Sequence, residues 1–175
     1  MAIKATEFRR LLETHQRMVF SLALRIAGDY GTAEEVAQDV FLQLFHAADT
    51  LKSEDHIRFW LRRVTVHRAA DALRRRSRQP EIAAEEWIEG QHDFDSPSGG
   101  SARMSVGVEA RLEELLQALP EPMRVAVVLR YQEEMLPEQI AVLLGQPLAT
   151  VKSHLQRGLR LLRRKAAVTM KEYAR

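Results

Sequence analysis

Cysteine is absent from all 175 residues, which excludes disulfides and thiolate-bound metal. A chain without them fits a reducing cytoplasm. No stretch approaches the roughly 20 apolar residues that a membrane-spanning helix needs. The opening residues, Met1 to Glu7, lack the apolar run of a signal peptide. The expectation is a cytoplasmic protein with no membrane span. Catalytic signatures are missing too: there is no glycine-rich phosphate loop and no nucleophile elbow. The six histidines, at positions 15, 46, 56, 67, 92 and 154, fall into no metal-ligand spacing. No cofactor, metal or catalytic residue is expected, and an enzyme is the least favoured class. Strand patterning is also sparse. Even Val125 to Leu129 sits inside a pattern better fitted by a helix.

What is present is an uneven distribution of charge. The net charge is only +2, but residues 51–78 carry nine basic and three acidic groups, and residues 146–175 carry eight and one. Between them, residues 79–105 carry one basic and six acidic groups, and 106–145 carry three and seven. Two basic segments, Arg74 to Arg78 and Arg157 to Lys165, each close a helical stretch. They suggest two surfaces that meet a polyanion.

Helical spacing runs almost throughout. Phe8, Leu11, Leu12, His15, Val19, Leu22 and Ile26 form one apolar stripe at steps of three and four. Gly28 to Gly31 breaks it, and Thr32 with Glu35 reads as a capping box opening the next helix. That helix carries Val36, Val40, Phe41, Leu44 and Phe45. A third has Ile57, Trp60, Leu61 and Val64 inward and runs on into the arginines. Residues 79–105, with Pro80, Gly90, Pro97, Gly99 and Gly100, read as a flexible acidic linker with a mobile tip at 95–101. Helices resume at Val106, then over Met123 to Tyr131, over Pro137 to Leu144, and from Leu148 or Ala149 to about Ala167. The class is all-α, with two small helical domains over 5–78 and 106–170 joined by that linker.

Three constellations carry function. The first, Pro137 to Leu155, has helix-turn-helix spacing: Ala141 is small where the second helix must approach, Gly145 suits a sharp turn, and Val151 and Leu155 face inward. Its outward face offers Lys152, Ser153, Gln156, Arg157 and Arg160, the group types that read base edges and hold phosphates. A solvated amphipathic hairpin is the plainer alternative. The second, Phe59 to Arg76, sets an apolar stripe against Arg62, Arg63, Arg68 and Arg74 to Arg76. Arginines there also complement a helix C-terminus without any partner. The third, Glu34 to Phe45, holds more large apolar groups than one core stripe requires, which fits either a buried helix or one that docks a protein.

In this order and spacing the three resemble a sigma factor of the extracytoplasmic-function (ECF) type, in the sigma-70 family. The resemblance lies in Val19 to Asp29 with Ala33 to Leu42, in Phe59-Trp60-Leu61 with Asp71 to Arg76, and in Leu119-Pro120-Glu121 with Gln139 to Ala141, Leu144-Gly145 and Thr150 to Ser153. It implies a bacterial transcription initiation factor with a sigma domain 2 and a helix-turn-helix sigma domain 4. Such a factor binds core RNA polymerase, on its beta-prime clamp and beta subunits, and recognises and melts promoter DNA. Glu35, Gln38, Asp39, Leu42 and Phe45 would bind the polymerase. Leu51, Lys52, Trp60, Arg62, Arg63, His67, Asp71, Arg74, Arg75 and Arg76 would contact the −10 element, with the loop at 49–55 pocketing a flipped base. Thr150, Lys152, Ser153, Gln156, Arg157 and Arg160 would contact the −35 element. The acidic linker would thread toward a channel built for polyanions, and an anti-sigma factor would be the regulator.

The chain departs from the family pattern in places. His67 stands where many members have asparagine, and Leu51-Lys52-Ser53 where Phe-Arg-Gly is frequent. Met135-Leu136-Pro137 replaces a Gly-Leu-Ser start, which removes a serine cap, and Ala149 and His154 replace glycine and arginine. Free protein is expected to bind promoter DNA weakly, because the acidic linker and packing between the domains mask the basic faces. Two other readings stay open: a repressor that dimerises through residues 1–78, and a helical adaptor that binds protein alone.

Overall fold

The three-and-four spacing becomes helices in the computed structural model, which describes residues 5–47, 50–78 and 102–173, with side chains from 110 to 168 in the last stretch. In chain order these are α1 (Ala5–Ala27), α2 (Tyr30–Ala47), α3 (Glu54–Arg78), α4 (Ala102–Gln117), α5 (Glu121–Tyr131), α6 (Pro137–Leu144) and α7 (Leu148–Tyr173). No strand occurs among the described residues. The expected linker lies outside them, tip included, except that α4 begins at Ala102 and so takes in residues expected to belong to the linker.

α1, α2 and α3 pack on one another through the stripe that starts at Leu11 and runs through His15, Val19, Leu22 and Ile26, all buried. Between α1 and α2, Gly28 takes φ 88°, and its N–H donates to Leu24 O at 2.8 Å. That left-handed geometry favours glycine. The expected Thr32–Glu35 capping box is not what starts α2. The helix begins at Tyr30, so Thr32 is already its third residue, and the Thr32 N–H donates to Asp29 Oδ1 at 2.8 Å. Asp29 is the cap, placed one residue before the helix where its short carboxylate reaches that amide.

α3 buries Leu61, Thr65, Val66, Ala69 and Ala70, while Trp60 and Val64 are only half-buried. The inward face is thus turned from the one expected. Thr65 is tolerated at its centre because its hydroxyl donates to Leu61 O at 2.7 Å.

In the second domain α5 is the central element, with every residue from Arg124 to Leu129 buried. It starts at Glu121, not Met123, with Pro122 in the first turn where a missing N–H has no helical partner to lose. α6 and α7 form the expected helix-turn-helix. Gly145, at φ 62°, donates to Val142 O at 3.3 Å, and Gln146 donates to Ala141 O at 3.0 Å, the paired bonds of a Schellman motif. Leu136 supplies no side-chain cap to α6, but Gln139 Oε1 accepts the Leu136 N–H at 2.8 Å, which is half a capping box. α7 runs six residues beyond its expected end near Ala167.

α1 contacts α4 and α5, and α3 contacts α5 and α6, so the buried residues of both domains join in one cluster.

Candidate nucleic-acid and partner interfaces

On α2, Ala33, Val36, Val40, Phe41 and Leu44 satisfy the core. That leaves Leu42 62% and Phe45 41% exposed, beside exposed Glu35, Gln38 and Asp39. Positions 35, 38, 39, 42 and 45 lie at steps of three, one, three and three, so the helix carries them on one face. The extra apolar residues are therefore a second, outward surface. Phe45 is held edge-on by Phe8, with ring centroids 5.3 Å apart. Arg68 Nη1 lies 3.5 Å from Asp39 Oδ2, which ties α3 to the rim of this face.

The residues expected at the −10 element divide into groups. Arg63, His67, Asp71 and Arg75 are exposed and spaced by four along α3, while Trp60 is half-buried one turn ahead of them. Arg62 points instead at the second domain. Its Nε lies 2.8 Å from Glu133 Oε2, and Glu133 is only 9% exposed. Arg74 pairs with Asp71 on its own helix and with Glu121 Oε2 at 3.1 Å on α5. The hydrogen bond from Arg74 to Asp71 is the largest influence holding its guanidinium pKa above the ordinary value. Arg76 Nη1 lies 2.6 Å from Asp29 Oδ2, so it bonds the residue that caps α2. Arg76 thus helps hold the three-helix unit together.

Leu51 and Lys52 line a shallow open cleft with Ser53, Glu54 and Ile57 on one side and Glu7, Arg10 and Thr14 of α1 on the other. Sequence reasoning missed the α1 side, because α1 was legible only through its apolar stripe. Deeper in, His15 Nε2 lies 2.8 Å from Glu54 Oε1, which joins α1 to the start of α3.

On α7, Val151 and Leu155 are buried, while Lys152, Gln156, Arg157 and Arg160 are exposed and Thr150 and Ser153 half-buried. Among the described residues no ion pair engages Lys152, Arg157 or Arg160. A further residue matters here for packing. Gly158 is buried, and an added Cβ would stand 2.9 Å from Val127 Cγ2 and 3.4 Å from Met123 Cβ. The glycine lets α7 close on α5, an approach hidden in the sequence by the surrounding arginines. Among the described residues no cluster of histidine, aspartate and glutamate is arranged to hold a metal ion, and no helix is long and apolar enough to cross a membrane.

Known proteins share this arrangement. Residues 11–79 match the family Sigma-70 region 2, and residues 109–162 match Sigma-70, region 4. The RNA polymerase sigma-H factor of Pseudomonas aeruginosa is 31% identical over 158 residues, covering 86% of this chain and 81% of that one. The ECF RNA polymerase sigma factor SigE of Mycolicibacterium smegmatis is 30% identical, and the match spans 87% of this chain and 59% of the relative. The sigma factor RpoE of Bartonella quintana, solved in complex with the anti-sigma factor NepR, shares the fold at TM-score 0.70 and 18% identity, covering 94% of this chain and 99% of that one. With both regions in order, and a relative of that similarity matched over most of its length, the chain belongs to the sigma-70 family as an ECF-type sigma factor, a transcription initiation factor without enzymatic activity of its own.

Proposed function

We infer that this chain binds core RNA polymerase through the outward face of α2, directs it to promoters through α7 at the −35 element and α3 at the −10 element, and promotes melting there. The observation that carries this reading is α7. Its cations Lys152, Arg157 and Arg160 stand exposed beside Gln156, on a helix seated by buried Val151 and Leu155. Such a helix can enter a major groove and present amide and guanidinium groups to base edges.

Residues 5–78 act as sigma domain 2, 79–105 as the linker and 106–170 as sigma domain 4. Glu35, Gln38, Asp39, Leu42 and Phe45 dock on the beta-prime clamp, the apolar pair supplying buried area and the carboxylates orientation. Along α3, Trp60, Arg63, His67 and Arg75 meet the −10 strand. Leu51 and Lys52, with the cleft against α1, receive an unstacked base, whose extrusion requires about a few kcal/mol that stacking and nearby cations offset. The protein works in the cytoplasm. Because the related fold of RpoE was solved with an anti-sigma factor, a protein regulator of that class is the expected inhibitor here.

The test is co-elution with core polymerase, followed by fluorescence from a base analogue placed in the −10 region. The reading predicts a complex that unstacks the analogue. A repressor would bind duplex DNA alone and leave it paired.

A further inference from the structure

His15 is the one polar side chain in the buried stripe of α1, only 3% exposed. An apolar residue would fill that position without the cost of desolvating an imidazole. The ring instead sets Nε2 2.8 Å from Glu54 Oε1. The contact is close without being aligned as a hydrogen bond, and among the described residues the nitrogen has no other polar partner. Glu54 is not needed to cap α3. Ser53 does that, since its hydroxyl accepts the His56 N–H at 3.2 Å and its carbonyl accepts the Ile57 N–H at 2.9 Å. The Glu54 side chain is 46% exposed and lines the cleft between α1 and the loop at 51–53, together with Arg10 and Lys52. Both cations are exposed, and among the described residues no ion pair engages either. A carboxylate therefore shares an open cleft with two cations and pairs with neither.

We propose that His15 is a positioning residue of this cleft: it draws Glu54 toward α1 and so leaves Arg10 and Lys52 free to hold the phosphates of an unstacked nucleotide. The inference rests on the reading of the cleft as the receiver of that nucleotide, and it adds Arg10 of α1 to the contacts made there. A carboxylate and a phosphate offer a cation the same anionic oxygen acceptors. Glu54 released into the cleft therefore competes with DNA for both cations. A ring with its proton on Nε2 donates to the carboxylate and removes that competition. The histidine suits the task because it is fixed. It sits in the packed interior of the three-helix unit, where side chains hold one arrangement, so the exposed carboxylate is the partner that moves. Exposed ion pairs are weak, which sets the expected effect at several-fold rather than orders of magnitude.

The test uses the full-length protein with core polymerase and a single-stranded −10 oligonucleotide. H15L fills the stripe and cannot donate. It should bind that strand about fivefold more weakly, the upper reach of an exposed ion pair. Its logarithmic salt slope should fall by about 0.7 for each phosphate released, while affinity for a −35 duplex keeps the parent value. H15Q, whose amide can donate, should bind as the parent does. The deciding variant is H15L/E54Q. With the carboxylate neutralised nothing competes for the cations, so affinity and slope should both return, a suppression that a merely structural histidine does not predict. If H15L unfolds, H15M takes its place with the same expectations, its flexible side chain filling the site without donating. Separately, the ring ¹⁵N shifts of His15 in the free full-length protein should move in E54Q. Unmoved ring shifts, parent-like binding by H15L, or a double variant as weak as H15L overturns the proposal. Ring shifts that move while the parent itself fails to bind the −10 strand would instead sink the functional reading of the cleft and leave the His15–Glu54 tie standing.

Discussion

Arg124 reaches from α5 of one domain to the carbonyl oxygen of Ile26 in the other at 2.7 Å, although it is itself only 5% exposed. The same guanidinium also bonds Gln117 Oε1, Gln117 O and Leu119 O. One buried cation thus closes the ends of α1 and α4. Replacing it by alanine strands several carbonyls, each unsatisfied group costing about 1–3 kcal/mol. R124A is expected to lower the denaturation midpoint sharply, and R124K to recover little, because an ammonium cannot reproduce the planar fork. Urea unfolding of the three proteins checks this.

Gly158 is a second packing position. G158A gains helix propensity of about 1 kcal/mol, but its Cβ meets a buried valine methyl at 2.9 Å. Overpacking of this kind costs about 1–3 kcal/mol. The expected result is a net loss of stability by thermal melting. A variant as stable as the parent would mean that α5 and α7 can move apart freely.

Leu42 and Phe45 are large, apolar and outward, and neither is needed by the core. L42A should leave folding within about 0.5 kcal/mol, as for an exposed site, yet weaken binding to core polymerase about tenfold if it anchors the contact. Calorimetric melting and a polymerase binding titration separate the two effects.

On α7, replacing Lys152 and Arg157 together by alanine should weaken promoter binding and flatten its salt dependence. On duplex DNA the logarithmic slope should fall by about 0.9 for each phosphate that the variant no longer neutralises. Affinity measured across a salt series gives the slope. The adaptor reading predicts no change.

Much of this architecture was legible as periodicity. The apolar stripe of α1, Gly145 with its turn, and the inward pair Val151 and Leu155 were each marked by spacing alone. Other features depend on partners distant in sequence. Asp29 displaced Thr32 as the α2 cap because the helix began three residues earlier than the capping pattern suggested. The α3 arginines looked alike in sequence, yet Arg62 and Arg74 meet carboxylates 71 and 47 positions away, while Arg76 bonds Asp29. Local composition cannot separate a DNA-facing arginine from one held across a domain boundary, because the difference lies in the tertiary fold. Gly158 was hidden for the same reason: its role is set by Val127 on another helix.

The central claim is that this chain directs core polymerase to promoters. Run-off transcription with core polymerase, purified protein and a library of genomic fragments tests it most directly. The account predicts discrete transcripts from a subset of fragments, lost when α7 carries K152A/R157A. No transcript from any fragment, with both proteins folded and the polymerase active with another sigma factor, would contradict it.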